Sequence, residues 1–232
     1  MRKRKSKESR MSLEEIIKFA KNPEPRCPVV LLLDTSGSMS GQPINELNAG
    51  VAIFKQEVQK DEKARLRVEV AIITIRDEQP QLVQPFVTIN EFNPQTLTTS
   101  GRTPMGQAIE LALDQVEAFK KNCKEIGISY YQPWVVLITD GDPTDDWQNA
   151  AQRVKKATDT DKLCFFAIGV SNANMDILKQ IAPSTTPPMM LDGLKFKELF
   201  RWLSDSMERV SISKIGEQVD LPSISGWANK TA

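Results

Sequence analysis

Short apolar segments alternate with amphipathic ones along this chain, and the alternation limits the folds open to it. Residues 29–33 read Val-Val-Leu-Leu-Leu and residues 134–138 read Trp-Val-Val-Leu-Ile, with a third apolar segment over 163–170. Continuous runs of this kind predict strands buried on both faces. Between them the period changes. Ile44, Leu47, Val51, Phe54 and Val58 recur at three- and four-residue spacing and predict a helix over 44–60. Ile109, Leu113, Val116 and Phe119 do the same over 104–124, with Pro104 at a first-turn position that tolerates it. Helices are also expected over 147–157, 174–181 and 196–210. Residues 67–75 and 82–89 read as a strand pair joined by a tight turn, and 187–191 as a short last strand. Buried strands alternating with helices predict a doubly wound α/β fold. Its central sheet is mostly parallel, with one antiparallel edge strand and helices on both faces. Ligands of such folds bind beyond the carboxyl ends of the strands, where strand order reverses.

Thirty basic and thirty acidic residues cancel to a formal net charge of zero, but they are unevenly placed. Residues 1–10 carry six basic side chains (Arg2, Lys3, Arg4, Lys5, Lys7, Arg10) and one acidic, Glu8. The rest holds 24 basic against 29 acidic, a net of −5. The basic tip is either a solvated extension or an attractor for acidic protein, nucleic acid or an anionic membrane. No nucleic-acid binding is expected of the acidic body. Met11 offers a second start that would omit the tip, and the intact mass of the native product distinguishes the two. The expected organisation is a basic extension and lead-in over 1–26, a folded domain over 27–210, and a tail over 211–232. That tail, with Pro222, Gly226 and scattered Ser, is expected to lie extended over the body.

Histidine is absent. A Ser-His-Asp or Cys-His catalytic unit therefore cannot be built within this chain, nor can a histidine-ligated zinc site. Cys27, Cys123 and Cys164 lie far apart with no CxxC spacing, as inert thiols of a reducing compartment would. The longest apolar runs are about five residues, where a spanning helix needs roughly twenty. Residues 11–20 contain Glu14, Glu15 and Lys18, unlike the apolar core of a signal peptide. The expected location is the cytoplasm.

Three segments are oxygen-rich, and two of them lie at the carboxyl ends of expected adjacent central strands, where a ligand would bind. Asp34-Thr35-Ser36-Gly37-Ser38-Met39-Ser40 follows the first buried strand, and Thr139-Asp140-Gly141-Asp142-Pro143-Thr144-Asp145-Asp146 follows the second. Thr99-Ser100-Gly101-Arg102-Thr103-Pro104-Met105-Gly106 opens a helix. Hard divalent cations take oxygen ligands, and Mg²⁺ takes six in an octahedron. Asp34, Ser36 and Ser38 alternate, so a turning loop can aim all three at one centre. Thr103 can add a hydroxyl and Asp140 a second carboxylate.

The combination of Asp34-x-Ser36-x-Ser38, Thr103 in Ser-Gly-Arg-Thr-Pro-Met-Gly, and Asp140 in Thr-Asp-Gly resembles the von Willebrand factor A domain with its metal-ion-dependent adhesion site. The resemblance covers roughly residues 27–210. It implies a Rossmann-like fold and a non-enzymatic protein-binding module holding Mg²⁺ or Mn²⁺ at Asp34, Ser36, Ser38, Thr103 and Asp140. It also implies that the three hydroxyls ligate directly while the aspartates act wholly or partly through water. Such a site leaves the cation poorly neutralised and receptive to a partner's Asp or Glu, or to a phosphate. Within the family the sequence looks most like the bacterial TerY-like group of tellurium-resistance-type clusters, through the run 37–44 (Gly-Ser-Met-Ser-Gly-Gln-Pro-Ile) and the tail 216–222 (Gly-Glu-Gln-Val-Asp-Leu-Pro). That match implies a bacterial stress or phospho-signalling setting, with a protein-phosphatase-2C-like enzyme and a Ser/Thr kinase-like protein as partners. In some relatives ligand binding shifts the last helix, which here carries Trp202.

Other readings compete. A metal-dependent phosphohydrolase could use Asp34 and Asp140, although no carboxylate follows Asp34 by two residues and neither GxxxxGK[ST] nor GxGxxG follows a strand. A surface adhesion role fits the wider family but not the lack of a leader-like segment. Asp34 could simply cap a helix within a Ser/Gly turn. Asp145 or Asp146 is expected to cap the helix starting near Trp147. Arg102 is expected to be a solvated loop residue, and Met39 and Met105 to pack rather than form a soft rim to the site.

Overall fold

The computed structural model describes residues 21–230. The basic tip and Met11 lie outside the described residues. In chain order the elements are β1 (Cys27–Asp34), α1 (Gln42–Val58), α2 (Ala64–Arg67), β2 (Val68–Ile75), β3 (Gln81–Thr88), α3 (Met105–Ile126), β4 (Trp134–Thr139), α4 (Gln148–Thr158), β5 (Cys164–Gly169), α5 (Met175–Ile181), β6 (Met189–Leu191), α6 (Phe196–Ile212) and β7 (Ala228–Lys230). They build one seven-stranded sheet in the order β3-β2-β1-β4-β5-β6-β7. Pairings β1–β2, β1–β4, β4–β5 and β5–β6 are parallel, and β3 runs antiparallel at one edge. The expected doubly wound sheet is thus present. One strand is additional: β7, from the tail, pairs antiparallel with β6 at the far edge.

The continuous apolar runs are buried on both faces because each strand feeds two cores. Val29, Leu31 and Leu33 of β1 join Val136 and Ile138 of β4 on the face covered by α1 and α6. Val30 and Leu32 join Val135 and Leu137 on the face covered by α3 and α4. All of these residues are 0% exposed. The helical stripes read from sequence supply the covers, with Phe54 of α1 meeting Phe200 of α6 at 6.4 Å between ring centroids. At the β3 edge Pro85 removes a backbone donor, and the β2–β3 register shifts between Val70 and Ile73. Both features suit an edge strand that is not extended by a further one.

The tail does more than lie over the body. Trp227 is 3% exposed and its ring lies 5.2 Å from that of Trp202. Trp202 in turn meets Phe166 at 5.8 Å, and Phe166 meets Trp134 at 4.7 Å. The Trp202 Nε1–H donates to the Pro222 carbonyl at 2.8 Å, and Arg209 donates to the Asp220 carbonyl at 3.1 Å. These bonds tie α6 to the chain that follows it. Replacing Trp227 by Ala should lower stability by about 3 kcal/mol and shift the tryptophan emission of the native state, read by denaturant titration.

The thiols are sequestered. Cys27 and Cys123 are buried and Cys164 half-buried. Burial pushes the Cys27 and Cys123 thiols up to about 12 and Cys164 up to about 11. Since the thiolate is the reactive form, iodoacetamide at mildly alkaline pH should label the native chain far more slowly than the denatured chain, as followed by intact mass.

Candidate functional site

β1 and β4 are neighbours, yet the chain leaves β1 toward β2 and leaves β4 toward β5. Their carboxyl ends therefore diverge into a crevice, the location expected for a ligand in this fold class. Asp34 ends β1 and is 0% exposed. Ser36 is 2% exposed, and Ser38 is exposed on the short 3₁₀ turn Gly37–Met39. Thr103 is 5% exposed just ahead of α3, and Asp140 is half-buried directly after β4.

Hydrogen bonds string these groups together. The Ser36 backbone N–H donates to Asp34 Oδ1 at 2.9 Å, and the Ser36 and Ser38 hydroxyl oxygens lie 3.0 Å apart. Ser38 Oγ donates to Asp140 Oδ1 at 2.7 Å. Thr103 joins from across the crevice. A Cβ placed on Gly141 would lie 3.2 Å from Thr103 Oγ1 and 3.6 Å from Asp34 Oδ2. These two oxygens thus flank the same glycine, and the five positions singled out in the sequence converge.

The donor set suits a hard divalent cation. Two oxygens each about 2.1 Å from a common centre, at a right angle, stand about 3.0 Å apart, and the two serine hydroxyls have that separation. Because Ser38 sends its proton to Asp140 and accepts the Ser36 hydroxyl, one of its lone pairs is left to face a cation. Among the described residues no three His, Cys, Asp or Glu side chains group to hold a metal. The five positions themselves bring two carboxylates beside three hydroxyls. Burial raises the Asp34 carboxyl above the usual carboxylate range, opposed by the Thr139 and Ser36 hydrogen bonds and reinforced by the Asp140 charge.

Two participants are not apparent from the sequence. Thr139 Oγ1 donates to Asp34 Oδ2 at 2.6 Å and accepts the Gly141 N–H at 3.2 Å. Its signal was a lone hydroxyl ending an apolar strand. Asp145 is the second. Of the two aspartates expected to cap the helix near Trp147, Asp146 does so, accepting the Gln148 N–H at 3.1 Å. Asp145 instead caps α3, accepting the Gly106 and Gln107 N–H groups at 2.9 Å each. The Thr144 N–H donates to the Thr103 carbonyl at 2.9 Å, so the loop after β4 is fastened to the segment that carries Thr103. The loop after β1 is fastened there too, by Gly37 N–H to Gly101 O at 3.1 Å and Ser100 N–H to Thr35 O at 2.9 Å. Met39 and Met105 are 0% exposed and pack into the two cores, and Arg102 is exposed, as expected of all three.

Gly106 is required by this fastening, since a Cβ there would lie 2.2 Å from the Asp146 carbonyl oxygen. Gly106→Ala should cost about 2 kcal/mol by forcing the two segments apart. Asp145→Ala should cost about 1 kcal/mol through loss of the cap. Thermal melts of both variants check these values.

The family model for the von Willebrand factor type A domain matches residues 29–201. A comparison with curated proteins gave no match. Among solved structures, the pilus adhesin SpaC from Lactobacillus rhamnosus GG, in an open conformation, aligns with a TM-score of 0.65 at 14% identity, over 80% of this chain and 30% of that one. Proximal thread matrix protein 1 from the mussel byssus, with a zinc-occupied MIDAS motif, aligns at 0.51 and 20% identity, over 82% of this chain and 46% of that one. The SpRpn10 VWA domain aligns at 0.51 and 14% identity, over 71% of this chain and 86% of that one. This chain therefore spans about half or less of the adhesin and of the byssus protein. At these identities the likeness is one of fold. With the family model covering most of the chain, the sheet order and the crevice after β1 and β4 find their place: the chain belongs to the von Willebrand factor type A domain family, whose members are protein-interaction modules.

Proposed function

We propose that this protein is a metal-dependent protein-binding module that holds Mg²⁺ or Mn²⁺ with Ser36, Ser38 and Thr103, assisted by Asp34 and Asp140. The observation that carries the reading is the convergence of these five oxygen-bearing side chains in one crevice. When bound, the cation supplies positive charge and an open coordination position for a carboxylate oxygen of the partner. The chain's own residues set the conditions for that. Thr139 and the Ser36 amide orient the buried Asp34, Ser38 hydrogen-bonds Asp140, and the fastened loops hold the hydroxyls in place.

The family's adhesion and interaction roles support a non-enzymatic reading. The burial of Asp34, with both carboxylate oxygens engaged, gives no support to its use as a phosphoryl acceptor. The runs 37–44 and 216–222 support placement in the TerY-like group. By that likeness the partners are a protein-phosphatase-2C-like enzyme and a Ser/Thr kinase-like protein, in a cytoplasmic bacterial stress or signalling system. Among the described residues no helix is long and apolar enough to cross a membrane.

Titration calorimetry with MnCl₂ and MgCl₂ should show one site per chain, and Ser36→Ala/Ser38→Ala should abolish it with little change in the metal-free melting temperature. A fully retained site in that double variant would refute the assignment. Metal at 100 times its Kd should stabilise the fold by about 2.7 kcal/mol. Burial raises the Asp34 carboxyl, so it takes up a proton at a higher pH than an ordinary carboxylate. A protonated Asp34 attracts a cation less, so the stabilising effect of metal should shrink as pH falls through the upper carboxylate range.

A further inference from the structure

A cleft of about 570 Å³ runs between the carboxyl-terminal halves of α3 and α4, away from the crevice just described. Lys120 lies about 22 Å along the α3 axis from Met105, at 1.5 Å per residue. The cleft floor is apolar, with Leu113, Val116 and Leu163 each at most 3% exposed. Its walls carry Lys120, Lys121, Lys124, Arg153, Lys156 and Lys162 against two carboxylates, Glu117 and Glu125. Six cations less two anions leave +4, on a chain whose residues beyond the first ten sum to −5.

Part of that charge is matched internally. Arg153 pairs with Glu110 and, at 2.8 Å, with Asp114. Lys121 faces Glu125 at 3.7 Å, and Lys120 donates to the Lys162 carbonyl. Among the described residues Lys124, Lys156 and Lys162 have no carboxylate in salt-bridge contact. The crowding has a further sign. Burial holds the Lys120 ammonium below the usual lysine range, and the Lys162 and Lys124 charges add to that effect against Glu117. Cations near helix carboxyl ends complement the helix dipole, which accounts for Lys124 and Lys156 singly. It does not account for Lys162, which comes from the loop before β5, nor for an apolar floor laid between two cationic walls.

We propose that this cleft docks an acidic, amphipathic segment of a protein partner. An apolar side chain of that segment would rest on Leu113, Val116 and Leu163, with carboxylates facing Lys124, Lys156 and Lys162. Nucleic acid fits less well, because no aromatic ring lines the cleft to stack a base and two glutamates stand in its walls. The site needs no metal and does not rest on the proposed metal centre.

The test uses the full chain and a fluorescein-labelled peptide helix with Glu on one face and Leu on the other, read by anisotropy. Binding should persist in EDTA, weaken with added salt, and be unaltered in Ser36→Ala/Ser38→Ala, which separates this site from the metal centre. The triple variant Lys124→Glu/Lys156→Glu/Lys162→Glu, altering exposed residues only, should bind about tenfold more weakly. Equal binding by the triple variant overturns the proposal. So does equal binding of a Lys/Leu peptide, or displacement of the acidic peptide by equimolar single-stranded oligonucleotide.

Discussion

A carboxylate buried at the end of a fully buried strand costs several kcal/mol unless its oxygens are matched, and Asp34 is in that position. The Ser36 amide answers one oxygen and the Thr139 hydroxyl the other. The second bond crosses from β1 to β4 just where the chain's two directions of travel part. Parallel pairing brings Leu33 level with Ile138, which sets Thr139 beside Asp34. Without that register the carboxylate would lack its partner, the crevice its floor, and the neighbouring hydroxyls their anchor.

The rest of the crevice is assembled by contacts between its loops. The segment carrying Thr103 is fastened to the loop after β1 through Gly37 and Gly101, and to the loop after β4 through Thr144 and Asp145. Gly106 and Gly141 permit these approaches because a Cβ at either would crowd the opposite segment. In the metal-binding reading proposed above, loops held this way would leave little ordering to offset at binding. The other end of the molecule is also closed, with Trp227 and the Pro222 carbonyl fastened to Trp202 on α6.

Charge is distributed with the same economy. The net zero combines a basic tip, an acidic body and, within that body, a cationic cleft between α3 and α4. In the readings proposed above, both recognition elements take carboxylates, one by coordination and the other by lysine charge over an apolar floor. They lie toward opposite ends of α3, so two acidic features of a partner could be engaged together or in turn.

Much of the fold is legible from sequence because hydrophobic period is a local property. The three buried strands, the amphipathic helices and the β2–β3 pair fall within a few residues of their expected places. Helix α2 and strand β7 escape such reading because four residues hold no helical period and Ala-Asn-Lys, unlike Met-Met-Leu of β6, is not an apolar run. The oxygen-bearing positions Asp34, Ser36, Ser38, Thr103 and Asp140 are equally legible, since oxygen-rich segments directly following apolar strands or opening a helix stand out. What a single aspartate does with its oxygens is not. Asp145 and Asp146 are neighbours with the same chemistry, yet one caps α3 and the other α4. The sequence by itself determined the alternation of strand and helix, the placing of four oxygen donors at or after strand ends and a fifth ahead of a helix, and the exclusion of histidine chemistry. Only the tertiary structure decided that Thr139 secures Asp34, that Asp145 serves α3, and that a tail without periodicity closes the aromatic core. Those outcomes depend on strand register and on contacts between segments tens of residues apart, which no local pattern encodes.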